Sequence, residues 1–247
     1  MENKKLISGF QRCLDSADRT IGKVWAALEE TQTHLRLNNL ECAYAAAFEA
    51  AHHSEKLTVV CREMPAFSGH PRAFTMVDDA ILENFPLEIG FTAEGWFCLR
   101  IPALLPKKSK GSPAYISDPI YPAMMRFWRG KQPVNYPCNV TIFRHIYDRE
   151  RPERQFRDHD NIELNRVLDA VALYVMVDDS PMRCRHYYCS APGSTDRTEV
   201  YVVPRDEFKA WLEQEENIPD TGVKLYENRL EPIKKHMPFT PVFMGSE

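Results

Sequence analysis

The stretch from residue 138 to residue 180 decides the fold, because it joins the best strand of the chain to four clustered aspartates. It contains CNVTIFRHIY (138–147), RDHDN (157–161), VLDAV (167–171) and VDDS (177–180). The first of these segments reads as a strand, and the apolar positions from Leu164 to Val175 trace one helical face. The pattern therefore predicts a strand, a polar loop and a helix with acidic residues at both of its ends.

Helices precede this stretch and strands surround it. Apolar residues recur at helical spacing over residues 3–62, with a break at Asn38-Asn39, which predicts an antiparallel helical hairpin closed by Met64-Pro65. Alternating patterns predict a strand pair at 87–91 and 96–101. Further elements are expected as a short helix at 120–128, strands at 183–189 and 198–203 joined by a hairpin turn, and a helix at 205–216.

These elements predict an α+β fold, a small mixed sheet with helices preceded by an N-terminal α-helical hairpin. We expect a hairpin over 1–66, a linker over 67–86, a sheet domain over 87–216 and an irregular C-terminal tail over 217–247.

Composition excludes several classes of protein. The chain has 247 residues, of which 44% are hydrophobic and 27% are charged, as in globular proteins. It has no apolar run near the ~20 residues of a membrane span and no secretory signal pattern. Its seven cysteines form no Cys-x-x-Cys pair, so reduced thiols in a cytoplasmic protein are expected.

Charge is unevenly distributed along the chain. The net charge is −4, yet residues 101–157 carry eleven Lys and Arg against four acids. A basic surface of this kind can neutralise phosphates, although a solvated charged loop explains the count equally well.

The four aspartates form the pattern with the clearest chemistry. Asp158 and Asp160 precede the predicted helix, and Asp178 and Asp179 follow it. Clustered carboxylates are the ligands that Mg²⁺ prefers, and such a metal can promote phosphodiester hydrolysis. The two pairs meet only if the fold or a partner subunit brings the helix ends together. Two alternatives stay open, a capping box that begins at Asp160 and a simple turn at 178–181.

The order of these motifs resembles the core of RusA-family Holliday-junction resolvases. In that family an Asp-x-Asp-Asn motif opens a helix with a Leu-Asp-Ala element, and an Asp-Asp pair begins the next strand. The resemblance covers roughly residues 87–205. By this resemblance Asp158, Asp160 and Asp179 match the catalytic acids, with Asp178 beside them as a further metal ligand. The family lysine is missing, since the matching region reads Leu164-Asn165-Arg166, and the interval from Asp160 to Asp169 is one residue longer.

The resemblance implies a homodimer that binds branched DNA and resolves four-way junctions with Mg²⁺ or Mn²⁺. A weakened relative that binds branched DNA or a protein partner without cutting is the alternative, and an adaptor that keeps only the fold is the third class. The N-terminal helices have three open roles: dimerisation, binding of a partner, or packing over the sheet domain. The cations expected at DNA are Lys107, Lys108, Lys110, Arg126, Arg129, Lys131, Arg154, Arg157 and Arg166.

Overall fold

The computed structural model describes residues 2–106, 113–151 and 156–229. The chain divides into two compact units, Met1–Glu83 and Asn84–Glu247. No helix within the described ranges is long and apolar enough to cross a membrane. All seven cysteines are free thiols.

The first unit is helical, and its hairpin confirms the predicted one. The elements are α1 (Glu2–Arg36), α2 (Leu40–Glu63), a 3₁₀ turn (Met64–Ser68) and α3 (Ala73–Asn84). The break lies where it was predicted, since Asn38 has a φ of 54° and Asn39 accepts a hydrogen bond from the Cys42 N–H at 3.2 Å. Asn39 is therefore the N-cap of α2.

Helix α3 lies in the segment that the sequence suggested was a linker. That prediction was based on Pro65, Gly69 and Pro71. The residues after Pro71, however, follow a helical pattern again. Phe74, Val77 and Ile81 recur at spacings of three and four residues, which is enough for three turns of helix.

The second unit is built on a five-stranded mixed sheet, and the α+β prediction is confirmed. Its strands are β1 (Glu88–Phe91), β2 (Phe97–Ile101), β3 (Asn139–Asp148), β4 (Cys184–Gly193) and β5 (Arg197–Pro204). Their order in the sheet is β1-β2-β5-β3-β4, and only β3 and β4 are parallel. The helices of this unit are α4 (Pro113–Trp128), α5 (Asn165–Val175) and α6 (Phe208–Glu215).

The predicted hairpin of β4 and β5 is wrong. The two strands follow each other closely in the chain, but they pair with opposite edges of β3: Ile142 lies opposite Tyr187 of β4 and Tyr201 of β5. The reason is the burial of β3, in which nine consecutive residues from Asn139 to Tyr147 are buried. Such a strand is stable in the centre of a sheet, with neighbours on both sides.

Each face of the sheet carries its own core, because side chains alternate along every strand. Helices α4 and α5 cover one face, where Phe97, Leu99, Phe143 and Val200 are fully buried. Helix α6 covers the other face with Trp211, which is only 1% exposed. Part of the predicted irregular tail belongs to this unit, since Tyr226 forms a bridge with Phe91 of β1.

Candidate functional site

The crossover from β3 through α5 to β4 determines where the four aspartates lie. A helix between two parallel strands runs back against them, so its first turn is near their C-terminal ends. His159, which stands between Asp158 and Asp160, accordingly reaches Ser190 near the end of β4, with 3.1 Å between Nε2 and Oγ. Asp179 lies near the beginning of the same strand, where its charge opposes the lowering of the His186 pKa by burial.

The two acidic pairs therefore lie at opposite ends of α5. An eleven-residue helix is roughly 16 Å long, whereas carboxylates that share one Mg²⁺ each lie ~2 Å from the ion. In the part of the chain that the structure describes, no three His, Cys, Asp or Glu side chains are arranged to hold a metal. The acids of one chain do not fit the Mg²⁺ site that the resemblance implies.

Asp160 does not cap α5, so the capping-box alternative is wrong. Asp158 is extended, residues 159–161 form a 3₁₀ turn, and α5 begins only at Asn165. Leu164 is the N-cap residue and offers no side-chain hydrogen bond. Ile162 and Leu164 explain the delay, because both are buried and extend the chain across the core before the helix can begin.

Asp178 forms part of a turn, as the second alternative expects. Its Oδ1 accepts a hydrogen bond from the Ser180 backbone N–H at 3.2 Å. Hydrogen bonding from the Ser180 side chain is the largest cause of a lowered pKa for Asp178, and the Ser180 backbone adds to it. Asp178 and Asp179 are both exposed, so the turn leaves their carboxylates open to solvent.

A pocket beside Asp158 contains a partly buried cation. Its volume is about 530 Å³, and we call it the Arg157 pocket. Burial lowers the pKa of Arg157, and in the part of the chain that the structure describes its buried Nη1 has no hydrogen-bond partner. The backbone N–H of Arg157 donates to the Tyr147 hydroxyl at 3.0 Å, which fixes the segment against β3. The pocket is lined by Tyr147, Asp148, Arg149, Phe156, Arg157, Ser190, Ala191 and Pro192.

Two aromatic rings form a wall of the Arg157 pocket. The centroids of Tyr147 and Phe156 lie 4.7 Å apart, and Phe156 remains 47% exposed. A guanidinium beside the exposed Phe156 ring matches what a nucleotide offers, a phosphate and a flat base. Arg149 also lines the pocket, but its charge is paired with Asp220 at 3.2 Å.

A row of rings continues from the Arg157 pocket along the sheet. His159 stacks between His145 and Tyr188, with centroid distances of 6.1 and 5.7 Å. The Tyr188 hydroxyl in turn lies 3.3 Å from Nδ1 of His186. Sequence reasoning missed His145 and His186, and a signal for them existed. Each shares its strand face with aromatic residues, His145 with Phe143 and Tyr147 on β3 and His186 with Tyr188 on β4.

The remaining predicted cations are placed unevenly. Arg126, Arg129 and Arg166 are exposed. Lys131 pairs with Glu227 at 3.3 Å and lies 3.8 Å from the centroid of the Phe127 ring, so its charge is partly compensated. Lys107, Lys108, Lys110 and Arg154 lie outside the described residues.

Comparison with protein families gives a match over most of the chain. The model of a family of unknown function, DUF6100, matches residues 5–229 and so extends over both units. A search of curated proteins finds no match to this chain.

Proposed function

We propose that this chain, which belongs to the DUF6100 family, binds branched DNA and holds a backbone phosphate in the Arg157 pocket. The observation that carries the proposal is the half-buried guanidinium of Arg157, which lines a pocket of about 530 Å³ and whose Nη1 has no hydrogen-bond partner among the described residues. A buried donor without a partner costs about 1–3 kcal/mol, more when it is charged. A bound anion removes that cost, and a phosphate oxygen forms a strong charge-assisted hydrogen bond with a guanidinium.

DNA is favoured over a free anion by the surroundings of the pocket. The exposed ring of Phe156, which lies against the buried ring of Tyr147, can stack on a base. Arg126, Arg129 and Arg166 are exposed cations of the same unit. Branched DNA is favoured by the resemblance to RusA-family proteins, whose motif order matches β3, α5 and β4 of this chain. Binding without cleavage is what a single chain supports, because its acidic pairs lie at opposite ends of α5.

The test is the affinity of the full chain for a labelled four-way junction and for a linear duplex of the same sequence, without divalent metal. Arg157→Gln should weaken junction binding about tenfold or more and reduce the salt slope by about one unit. Lys209→Gln is the matched control. It removes one positive charge from an exposed side chain of α6, and it should change the affinity for the junction less than about twofold.

Arg157→Lys separates charge from shape. An ammonium keeps the charge but not the planar fork, so part of the affinity should remain. No junction binding by the wild-type chain at low salt would overturn the proposal, and so would an Arg157→Gln variant that is folded and binds normally. Equal affinity for junction and duplex would remove the preference for branched DNA.

A second candidate is Mg²⁺- or Mn²⁺-dependent cleavage of the junction by a pair of chains. It is favoured by the exposure of all four carboxylates, Asp158, Asp160, Asp178 and Asp179, which leaves each pair open to a second protomer. In such a pair, Asp160 of one protomer would lie close to Asp179 of the partner subunit.

Mixing two inactive variants tests this candidate. Asp160→Asn and Asp179→Asn should each abolish nicking of the junction. If the site is shared between protomers, mixed dimers contain one intact site, so the mixture should regain a substantial part of the nicking activity. No nicking by the wild-type chain with either metal would eliminate the candidate while leaving DNA binding intact.

A further inference from the structure

The two long helices of the first unit meet through small residues. Ala17 and Ala27 of α1, with Ala43, Ala46 and Ala50 of α2, are between 4% and 7% exposed, and α1 and α2 pack along their length. Alanine contacts allow close approach of the helices but bury little apolar surface. The large apolar side chains of the hairpin are therefore not needed to hold it together, and most of them lie outside.

Those large side chains form a regular stripe on α1. Five of them are spaced by seven residues, and each is between 39% and 69% exposed: Ile7, Leu14, Ile21, Leu28 and Leu35. Phe10 and Trp25 widen the stripe, and Trp25 is 64% exposed. A seven-residue apolar repeat is the pattern by which one helix packs along another over many turns. Within the first unit, α2 already occupies a different side of α1, the one that carries Ala17 and Ala27.

Helix α2 extends this stripe into a two-helix face. Leu40, Tyr44 and Phe48 are spaced by four residues and are 56% to 73% exposed. Successive residues of a helix are rotated by ~100° about its axis. By this measure the α1 stripe is rotated roughly 80° from the alanines that contact α2. The three α2 residues are rotated roughly 130°, in the same sense, from the alanines that contact α1. Because the helices are antiparallel, equal senses of rotation bring both sets to one side of the hairpin. We call this surface the hairpin face.

The area of the hairpin face is that of a dimer interface. Its ten large side chains, mostly about half exposed, offer on the order of 1,000 Å² of apolar surface. A monomer seldom exposes a patch above roughly 300–600 Å², whereas a stable dimer buries about 800 Å² on each partner.

We infer that the hairpin face joins two copies of this chain as a four-helix bundle. A second hairpin is the occupant that fits best, because it presents the same length of helix, the same two-helix width and the same repeat. An isologous contact of this kind closes after two copies, and hairpins of this length pack in that way in helical bundles. This inference does not depend on DNA binding, since the hairpin face consists of residues of the first unit.

The test is the mass of the full chain in solution, measured by light scattering after size exclusion from 1 to 100 µM. The expected mass is twice the 28.6 kDa of one chain. The double variant Ile21→Glu/Leu28→Glu places two charges in the centre of the hairpin face and should raise the dimer dissociation constant at least a hundredfold. Both side chains are exposed, so the helix content seen by circular dichroism should not change.

Ala26→Glu is the matched control. It also introduces a glutamate on α1 at an exposed position, but roughly 140° from the stripe, and it should remain dimeric. A second variant, Leu14→Glu/Leu35→Glu, tests the two ends of the stripe without touching its centre and should also dissociate. A wild-type chain that is monomeric at 100 µM would overturn the inference, since its face would then be covered by the second unit or by another protein. Folded variants that stay dimeric would overturn it as well, because the contact would lie on another surface.

Discussion

The imidazole ring of His145 lies almost parallel to that of His159, with 6.1 Å between centroids and 24° between planes. His145 is fully buried, and neither of its ring nitrogens has a hydrogen-bond partner within the described ranges. Burial is the main cause that lowers the pKa of His145 to about 4, and the charges of His159 and Arg157 act in the same direction. His145 is therefore packed as a neutral aromatic ring.

Stability should fall as the pH drops from about 6.5 towards 4. A histidine in the unfolded chain has a pKa near 6.5. Between pH 6.5 and pH 4 the unfolded chain therefore binds a proton at residue 145, whereas His145 in the folded chain stays neutral. The contribution is present in full above pH 6.5, and about 3 kcal/mol is lost by pH 4. Urea unfolding at pH 7.5, 6.0 and 4.5 measures the slope. His145→Phe keeps a buried ring without the titration and should flatten it, and an equal slope in both proteins would assign the acid sensitivity to other groups.

Gly222→Ala should destabilise the chain by about 3 kcal/mol. Gly222 has a φ of 79°, and a Cβ there would lie 2.6 Å from Cζ of Arg100. Arg100 is held by Glu88 at 2.6 Å and by the Val223 carbonyl, so it cannot move aside without losing both contacts. Thermal unfolding measures the loss.

Gly130→Ala is the control for the backbone strain alone. Its φ is 76°, and apart from its chain neighbours no described residue has an atom within 4 Å of the added carbon, so the substitution should cost about 1 kcal/mol. Equal losses in the two variants would mean that Arg100 adapts to the extra carbon.

Glu199→Gln should cost about 3 kcal/mol or more. Glu199 is fully buried and accepts hydrogen bonds from Arg144 at 3.0 Å, Arg197 at 2.9 Å and the Tyr201 hydroxyl at 3.0 Å. Removing its charge takes away the counter-ion of the buried Arg144 and leaves Arg197 with Asp220 at the longer distance of 3.9 Å. Denaturant unfolding checks this prediction.

Asp196→Asn is the comparison for a more exposed pair. Asp196 pairs with Arg151, and about a quarter of each side chain is exposed, so the substitution should cost about 1 kcal/mol or less. A loss as large as that of Glu199→Gln would show that burial does not set the difference.

Local patterns predicted the elements well and their pairing poorly. Apolar spacing located the hairpin of α1 and α2, the strand pair β1 and β2, and β3, because each pattern depends on nearby residues. The insertion of β3 between β4 and β5 depends on contacts between distant segments. Pro192 and Gly193 suggested a hairpin turn between β4 and β5. These two residues do not determine which edge of β3 either strand joins.

The candidate site divides in the same way. The sequence located Asp158, Asp160, Asp178 and Asp179 at the two ends of α5, but it could not determine whether a single chain brings them together. The direction of a crossover helix answers that question. Arg157 was one of nine candidate cations, and only the packing of Tyr147 and Phe156 around it distinguishes it from the exposed arginines.

The central place of β3 also sets the order in which the chain can fold during synthesis. Asn139 at its start pairs with Cys184 on one edge and with Pro204 on the other, and both partners are made dozens of residues later. Contacts this distant in sequence form slowly, whereas α1 and α2 need only each other. The hairpin can therefore form while the ribosome is still making the sheet. A nascent chain that stops before Arg197 carries β3, whose residues are almost all buried in the finished sheet, with one edge unpaired and open to any other strand that it meets.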